Sequence, residues 1–152
     1  MISARLAELA LDVEAEFGSF VADLDGEGAV VTFAGIARAQ TRDGIDVDRL
    51  FLDHHPRLTE KSLHEIAGAA AARFEVAGIK IVHRCGEVAP GETIVFVAAS
   101  SPHRRAAFEA TDYMMDRLKT EAVFWKREDT ALGSRWIEPT DTDRTERARW
   151  SD

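Results

Sequence analysis

Two long segments with apolar residues at helical spacing constrain the fold more than any other feature of the sequence. The first follows Pro56 and runs down to Gly78, and the second follows Ser101 and Pro102 and runs to Lys119. In both, apolar side chains recur every three or four residues, which places them on one face of an α-helix. Ser101 and Pro102 are residue types that favour the N-cap and the first helical position. The sequence therefore predicts two long amphipathic helices.

The segments around these helices are typical of β-strands. Residues 28–38 are rich in β-branched and aromatic types and are predicted to form a strand buried mostly on both faces. Residues 47–53 are predicted to return beside it as a hairpin after a polar, glycine-containing turn. Further strands are predicted at residues 79–88, 92–100, 122–128 and 134–139, and a shorter amphipathic helix is predicted at residues 12–24. This order predicts a two-layer α/β domain with a mixed sheet.

Length and charge limit the class of protein. With 152 residues and 45% hydrophobic content, the chain is predicted to form one domain over residues 1–140. Residues 141–152 are polar and charged, so we expect a mobile C-terminal tail there. A formal net charge of −8 would repel a phosphodiester backbone, because nucleic-acid affinity comes largely from lysine and arginine. Nucleic-acid binding is therefore not expected.

The sequence also indicates a cytoplasmic protein with no membrane partner. No apolar run approaches the roughly 20 residues that span a bilayer, and acids interrupt the N-terminal segment where a signal peptide is apolar. Cys85 is the single cysteine, so no intramolecular disulfide or multi-cysteine metal site is expected. The histidines fall on separate predicted elements or, at His54 and His55, on opposite faces of one strand, which does not match zinc-binding spacing. No metal site is predicted.

Basic residues at both ends of the second helix are candidates for chemistry. His103, Arg104 and Arg105 fall in its predicted first turn, where cations oppose the helix dipole but where, with free N–H groups, they would bind an anion. Lys119 closes the helix, and Lys126 follows on a short strand. Each of these basic residues can also be interpreted more simply as a solvated side chain. Lys119 in particular is favourable at a helix C-terminus. Neighbouring cations and burial would lower a lysine pKa and prepare a neutral amine.

Several fragments together resemble the molybdopterin synthase large-subunit family. They are GAVVTFAGIAR, HHPRLTEKSLHEI, IVHRCGEVAPGE, SSPHRRAAFEA, MMDRLKTEAVFWKRE and a closing RW, in that order between residues 28 and 136. The resemblance implies an α/β hammerhead-type core with a small added β subdomain. It also implies a homodimer that binds one small ubiquitin-like sulfur-carrier subunit per chain, giving a heterotetramer.

The resemblance implies a reaction as well. Family members convert cyclic pyranopterin monophosphate, or precursor Z, into molybdopterin with sulfur from a thiocarboxylate on the small subunit, and they use neither a metal nor ATP. By position, Lys119 and Lys126 match the two active-site lysines. The residues that would bind substrate are Arg38, His103, Arg104, Lys119, Lys126, Arg127 and Glu128. His55 and Val123 depart from the family, which commonly has tyrosine and proline there, and leave details of the partner groove and loop conformation open.

Two other functions fit parts of the sequence. A non-catalytic module that captures the C-terminal tail of a ubiquitin-like protein would need a groove but not the lysines. A divergent family member would act on another phosphorylated pterin. Retention of Arg38, His103, Arg104, Lys119 and Lys126 favours the sulfur-transfer function over both, since a tail-binding module has no need of a phosphate site.

Overall fold

The computed structural model describes residues 1–151, which form eight strands and four helices. In chain order they are β1 (Ile2–Ala7), α1 (Val13–Ala22), β2 (Ala29–Ile36), β3 (Val47–His54), α2 (Leu58–Arg73), β4 (Gly78–Arg84), β5 (Gly86–Val88), β6 (Thr93–Ser101), α3 (Arg104–Glu121), β7 (Phe124–Thr130), β8 (Gly133–Ile137) and α4 (Asp141–Ala148). No helix in the described part of the chain has the length and apolar content needed to cross a membrane.

The first sheet has the strand order β1-β4-β6-β2 and is mixed, because β1 runs parallel to β4 while the other pairs are antiparallel. Side chains alternate between its two faces. Ile79 and Ile81 join the core beneath α2 and α3, whereas Val82 joins a smaller core with Phe20 of α1 on the other face. The two central strands are therefore buried on both sides, which confirms the predicted α/β architecture with a mixed sheet.

The second sheet has the order β5-β3-β7-β8 and is entirely antiparallel. The chain enters it from β4 through Gly86, whose φ of 81° lies in the left-handed region that glycine adopts without strain. Leu52 and Val88 are fully buried between this sheet and the loop that carries Ala37. This sheet is the small β subdomain that the family resemblance implies.

The predicted β2–β3 hairpin is wrong, and so is the predicted burial of β2. β2 pairs with β6 in the first sheet, whereas β3 pairs with β5 and β7 in the second. Residues 37–46 therefore connect two sheets instead of turning within one. β2 is an edge strand, and its Phe33 and Ile36 are 40% and 50% exposed. Apolar content predicts the strand but not its place at the sheet edge.

The start of the second long helix also differs from the prediction. α3 begins at Arg104 with His103 as its N-cap residue. Ser101 is instead the last residue of β6, and its Oγ accepts a hydrogen bond from the backbone N–H of His103 at 3.0 Å. The sequence also gave no sign of β1, which the parallel pairing with β4 stabilises.

The C-terminal segment is folded where the sequence predicted a mobile tail. Thr140 and Asp143 form a reciprocal capping box at the start of α4. Beyond the helix, Trp150 packs edge-on against Phe74 and Tyr113, with ring centroids 5.8 and 5.5 Å away. Arg147 and Arg149 also form ion pairs with Glu121, Asp112 and Asp116 of α3, so the segment is docked by charged as well as aromatic contacts.

Candidate active site

The two candidate lysines lie on either side of a chain reversal. Lys119 is in the last turn of α3 and is exposed, while Lys126 lies in β7 and is partly buried. The intervening residues 122–124, here called the lysine connector, turn the chain from the helix into the second sheet. Lys126 lies opposite Leu52 of β3, so its side chain projects from the face of the sheet that carries the buried leucine. The two ammonium groups are close enough for their charges to interact.

The pKa of Lys126 is lowered from its ordinary value. Burial is the main cause, because it penalises the charged form, and the positive charge of Lys119 lowers the pKa further. The carboxylate of Asp143 acts in the opposite direction. The lowered pKa of Lys126 agrees with the sequence prediction, although burial contributes more to the shift than the positive charge of Lys119 does. The lowered pKa increases the fraction of Lys126 that is a neutral amine at a given pH.

Asp143 of α4 contributes a carboxylate that interacts with both lysines. Burial raises the pKa of its carboxyl group, but hydrogen bonds with Thr140 and the charges of Lys119 and Lys126 outweigh burial and lower the pKa overall. The carboxylate thus faces both lysines from the segment that was predicted to be a mobile tail. Sequence reasoning missed this residue, because the helix that presents it was not predicted.

A buried histidine beside the lysine connector was also missed. His83 lies in β4, and its ring stacks on Phe124 with centroids 4.1 Å apart and an interplanar angle of 25°. Burial is the main cause that lowers the pKa of His83 to about 3, with a further contribution from the charge of Lys126. The ring is therefore neutral, and because its Nδ1 lies 2.8 Å from the backbone oxygen of Arg84, Nδ1 carries the proton. Strand periodicity gives no signal for such a contact between sheets.

Arg38 lies at the same end of the first sheet as Lys119. It follows β2, whose last residue, Ile36, pairs with Thr93 at the start of β6. The neighbouring Ala37 N–H donates to the backbone oxygen of Glu92 at 2.8 Å. α3 follows β6 and packs back along β6 and β2, so its C-terminal turn returns to this end of the sheet.

Within one chain, His103 and Arg104 lie at the opposite end of the first sheet from Arg38. Both follow Ser101, which pairs with Ala29 at the start of β2. The nine residues from Thr93 to Ser101 are separated by eight steps, which span about 26 Å at about 3.3 Å per step. Within one chain, the side chains of Arg38, His103 and Arg104 therefore cannot hold a single phosphate. The sequence places them on the correct elements but does not reveal the direction of the strands.

Arg127 and Glu128, predicted to line the substrate pocket, project from opposite faces of β7. Arg127 is on the face away from Lys126, where its guanidinium donates to both oxygens of Asp129 at 2.8 and 3.1 Å and lies over the rings of Phe51 and Trp136. Glu128 is on the same face as Lys126, and its carboxylate lies 3.6 Å from Arg135. Geometry therefore supports Glu128 but not Arg127 as a neighbour of the lysine pair.

Among residues 1–151, no three histidine, cysteine, aspartate or glutamate side chains are grouped so that they could hold a metal ion. The fold brings two amines and a carboxylate together at the end of α3, and Arg38 lies at the same end of the first sheet. Such a set can bind an anionic substrate and move protons.

Comparison with known proteins identifies the family. The family model described as MoaE protein matches residues 6–121. A relative from Pseudomonas aeruginosa, described as molybdopterin synthase catalytic subunit, is 45% identical over 148 residues, 97% of this chain and 98% of the relative. A relative with the same description from Caulobacter vibrioides is 48% identical over 132 residues, 87% of this chain and 86% of the relative.

A solved structure agrees with the sequence relatives. The molybdopterin biosynthesis MoaE protein from Burkholderia ambifaria superimposes with a TM-score of 0.83 at 38% identity, covering 99% of this chain and 98% of that one. The fold is therefore an α+β fold in which a mixed sheet carries a small β subdomain. The chain belongs to the MoaE protein family.

Proposed function

We propose that the chain is the catalytic subunit of a molybdopterin synthase, which transfers sulfur from a small ubiquitin-like subunit to cyclic pyranopterin monophosphate. The observation that carries the proposal is the lysine pair. Lys126 is partly buried with a lowered pKa and faces the charge of Lys119 at the end of the sheet that also carries Arg38. The relatives' shared description as a catalytic subunit supports both the reaction and the need for a partner chain.

The proposed sulfur transfer requires that this site bring the two substrates together and transfer protons. The flexible C-terminus of the small subunit enters near Lys119 and Lys126 and brings its thiocarboxylate against the bound pterin, so that proximity supplies a large share of the barrier reduction. Lys119 and Lys126 then transfer protons and stabilise negative charge, first as the thiocarboxylate sulfur bonds to the pterin and then as water cleaves the bond between that sulfur and the carbonyl carbon, which releases the small subunit as a carboxylate. Neither a metal nor ATP takes part in the proposed step.

A second copy of the chain completes the anion site in this proposal. β2 is an edge strand with one open side and exposed apolar residues, which is the surface that a homodimer would cover. A two-fold pairing of two β2 edges is antiparallel, so the Ala29 end of one copy lies beside the Ile36 end of the other. That arrangement brings His103 and Arg104 of one copy toward Arg38 of the other. The homodimer with two small subunits is the heterotetramer that the family resemblance implies, and the cytoplasm is its proposed compartment.

A module that only captures a ubiquitin-like tail fits the structure less well. Such a module would need no amine with a lowered pKa, and burying Lys126 would only cost it stability. The position of Lys126 against the buried face of the second sheet therefore favours catalysis over tail capture.

Reconstitution tests the proposal. The purified chain is mixed with precursor Z and a small subunit that carries a C-terminal thiocarboxylate, and molybdopterin is measured by mass spectrometry of the pterin. We expect two sulfur atoms to be added per pterin, and we expect no product when the small subunit carries an ordinary carboxylate. Tight binding of the small subunit without any product would instead support the tail-capture function.

A further inference from the structure

The lysine connector is held by two buried hydroxyl groups that lie outside the lysine pair itself. Thr59 and Ser62 are in the first two turns of α2, and three residues of separation puts them on one face of that helix. Thr59 is fully buried and Ser62 is 8% exposed. Buried hydroxyl groups need hydrogen-bond partners, and those partners identify what each group holds.

Both hydroxyl groups bond to the same residue of the connector. The Thr59 hydroxyl donates to the backbone oxygen of Val123 at 2.6 Å, and the backbone N–H of Val123 donates to Ser62 Oγ at 3.2 Å. The backbone donor and acceptor of Val123 are thus both satisfied by α2, as they would be by a neighbouring strand. Thr59 Oγ1 also accepts the backbone N–H of His55 at 2.9 Å, which ties the end of β3 to the same point.

The rest of the connector is fixed from its other side. The Phe124 N–H donates to the backbone oxygen of Ala122 at 2.9 Å, which closes a tight turn around Val123. The Phe124 ring stacks on the buried ring of His83. Lys119 lies three residues before this turn and Lys126 lies two residues after Phe124. The position of Val123 therefore affects the distance between the two amines, while the pairing of Lys126 with Leu52 sets the face of the sheet from which Lys126 projects.

We propose that Thr59 and Ser62 are positioning residues for sulfur transfer, which lock the lysine connector so that Lys119 and Lys126 face one pocket. The proposal rests on the proposed function for its activity readout, and on geometry alone for the link between α2 and the lysines. Neither hydroxyl group needs to touch substrate for this role. Loss of either bond would leave buried polar groups of Val123 without a partner, and the connector would shift to satisfy them.

The test compares variants of two buried threonines whose hydroxyl groups have different hydrogen-bond partners. Thr59→Val keeps the shape and removes both hydrogen bonds, whereas Thr59→Ser keeps the hydroxyl. Thr111→Val is the matched control, because Thr111 is a buried threonine of α3 whose hydroxyl donates only to Ala107 of its own helix at 2.9 Å. Each full-length variant is assayed with thiocarboxylated small subunit and precursor Z.

We expect Thr59→Val to lower kcat roughly 10- to 100-fold, because a displacement of about 1 Å at reacting groups has effects of that size. The apparent KM for the small subunit should remain near its wild-type value. Thr59→Ser and Thr111→Val should both retain near wild-type activity. A purely structural role for Thr59 would instead lower melting temperature in Thr59→Val and Thr111→Val alike without a selective loss of kcat.

A second readout does not depend on turnover. The titration of Lys126 is followed by NMR of its labelled side-chain carbon in the complete chain. In Thr59→Val, the pKa of Lys126 should move back toward its ordinary value, because a displaced connector exposes the amine and separates it from Lys119. An unchanged Lys126 titration together with unchanged kcat would overturn the inference.

The outcomes separate this inference from the proposed function. If the wild-type chain makes no molybdopterin, the proposed function fails, and the Lys126 titration still decides the role of Thr59. If Thr59→Val does not fold, Ser62→Ala takes its place, because it removes the acceptor of the Val123 N–H and, besides that, only the bond that the Ser62 hydroxyl donates to the backbone oxygen of Thr59 in its own helix at 2.6 Å. A normal Lys126 titration in a folded Ser62→Ala variant, with normal turnover, contradicts the proposal.

Discussion

Replacing Trp150 with alanine tests whether the C-terminal segment is docked as the structure shows. The indole ring makes edge-on contacts with Phe74 and Tyr113, at centroid distances of 5.8 and 5.5 Å. Its Nε1–H donates to the carboxylate of Asp116 at 2.7 Å, and its backbone oxygen accepts from Arg73 at 2.7 Å. The substitution removes the ring contacts and the indole hydrogen bond but keeps the backbone.

The expected loss follows from these contacts. Two aromatic pairs contribute about 0.5–1.5 kcal/mol each, and a hydrogen bond to a charged group contributes about 1.5–3 kcal/mol. Because the indole is only partly buried, we expect Trp150→Ala to lower the free energy of unfolding by about 2–4 kcal/mol. For a urea slope near 2 kcal/mol per molar, the midpoint falls by about 1–2 M.

Urea denaturation followed by far-ultraviolet circular dichroism measures this loss. Trp125→Ala is the control, because Trp125 is 52% exposed on β7 and its removal should cost much less. Limited proteolysis should also cut the Trp150→Ala variant near α4 sooner than the wild type. A change in the free energy of unfolding below about 0.5 kcal/mol, the usual range for surface substitutions, would refute docking. It would instead support the mobile tail that the sequence predicts.

Three further predictions concern the base, the dimer and the phosphate site. Asp143→Asn should move the rising limb of the pH profile of kcat/KM to lower pH, because the Asp143 carboxylate raises the pKa of Lys126 and its removal favours the neutral amine earlier; an unmoved or oppositely moved limb contradicts the assignment of Lys126 as the base. The chain alone should sediment as a dimer at micromolar concentration, and Phe33→Glu on β2 should shift it toward monomer; a wild-type monomer would confine dimerisation to the complex. Arg104→Ala should weaken binding of precursor Z at least tenfold, because it removes one charge-assisted hydrogen bond worth about 1.5–3 kcal/mol, while the affinity for the small subunit stays constant. Equal losses of both affinities would contradict a role in phosphate binding.

Local patterns in the sequence predicted the elements of the fold better than their partners. The helical spacing in α2 and α3 and the β-branched runs in β4 and β6 are strong local signals, and the structure confirms these elements. The supposed β2–β3 hairpin failed because a short polar connection suits a turn within one sheet as well as a passage between two. Strand pairing depends on contacts that are distant in sequence, which local composition does not encode.

For the candidate site, the sequence offered individual residues but not their arrangement. Lys119 and Lys126 are close in sequence, so their proximity followed from one chain reversal. The contribution of His83 and Asp143 depends on tertiary packing, through the stack on Phe124 and the docking of α4. The separation of Arg38 from His103 depends on strand direction, which no motif records.

The most direct test of the account is the rate of a single turnover of sulfur transfer in Lys119→Ala, measured with saturating thiocarboxylated small subunit and precursor Z. Lys61→Ala is the matched control, because Lys61 is an exposed helix lysine of α2 that faces Glu65. We predict that Lys119→Ala forms the complex and keeps its fold but makes no measurable molybdopterin, and that Lys61→Ala is unchanged. Lys119→Arg should recover little activity, because arginine keeps the charge but cannot give up a proton. A near-normal rate in Lys119→Ala would contradict the claim that the lysine pair carries the chemistry.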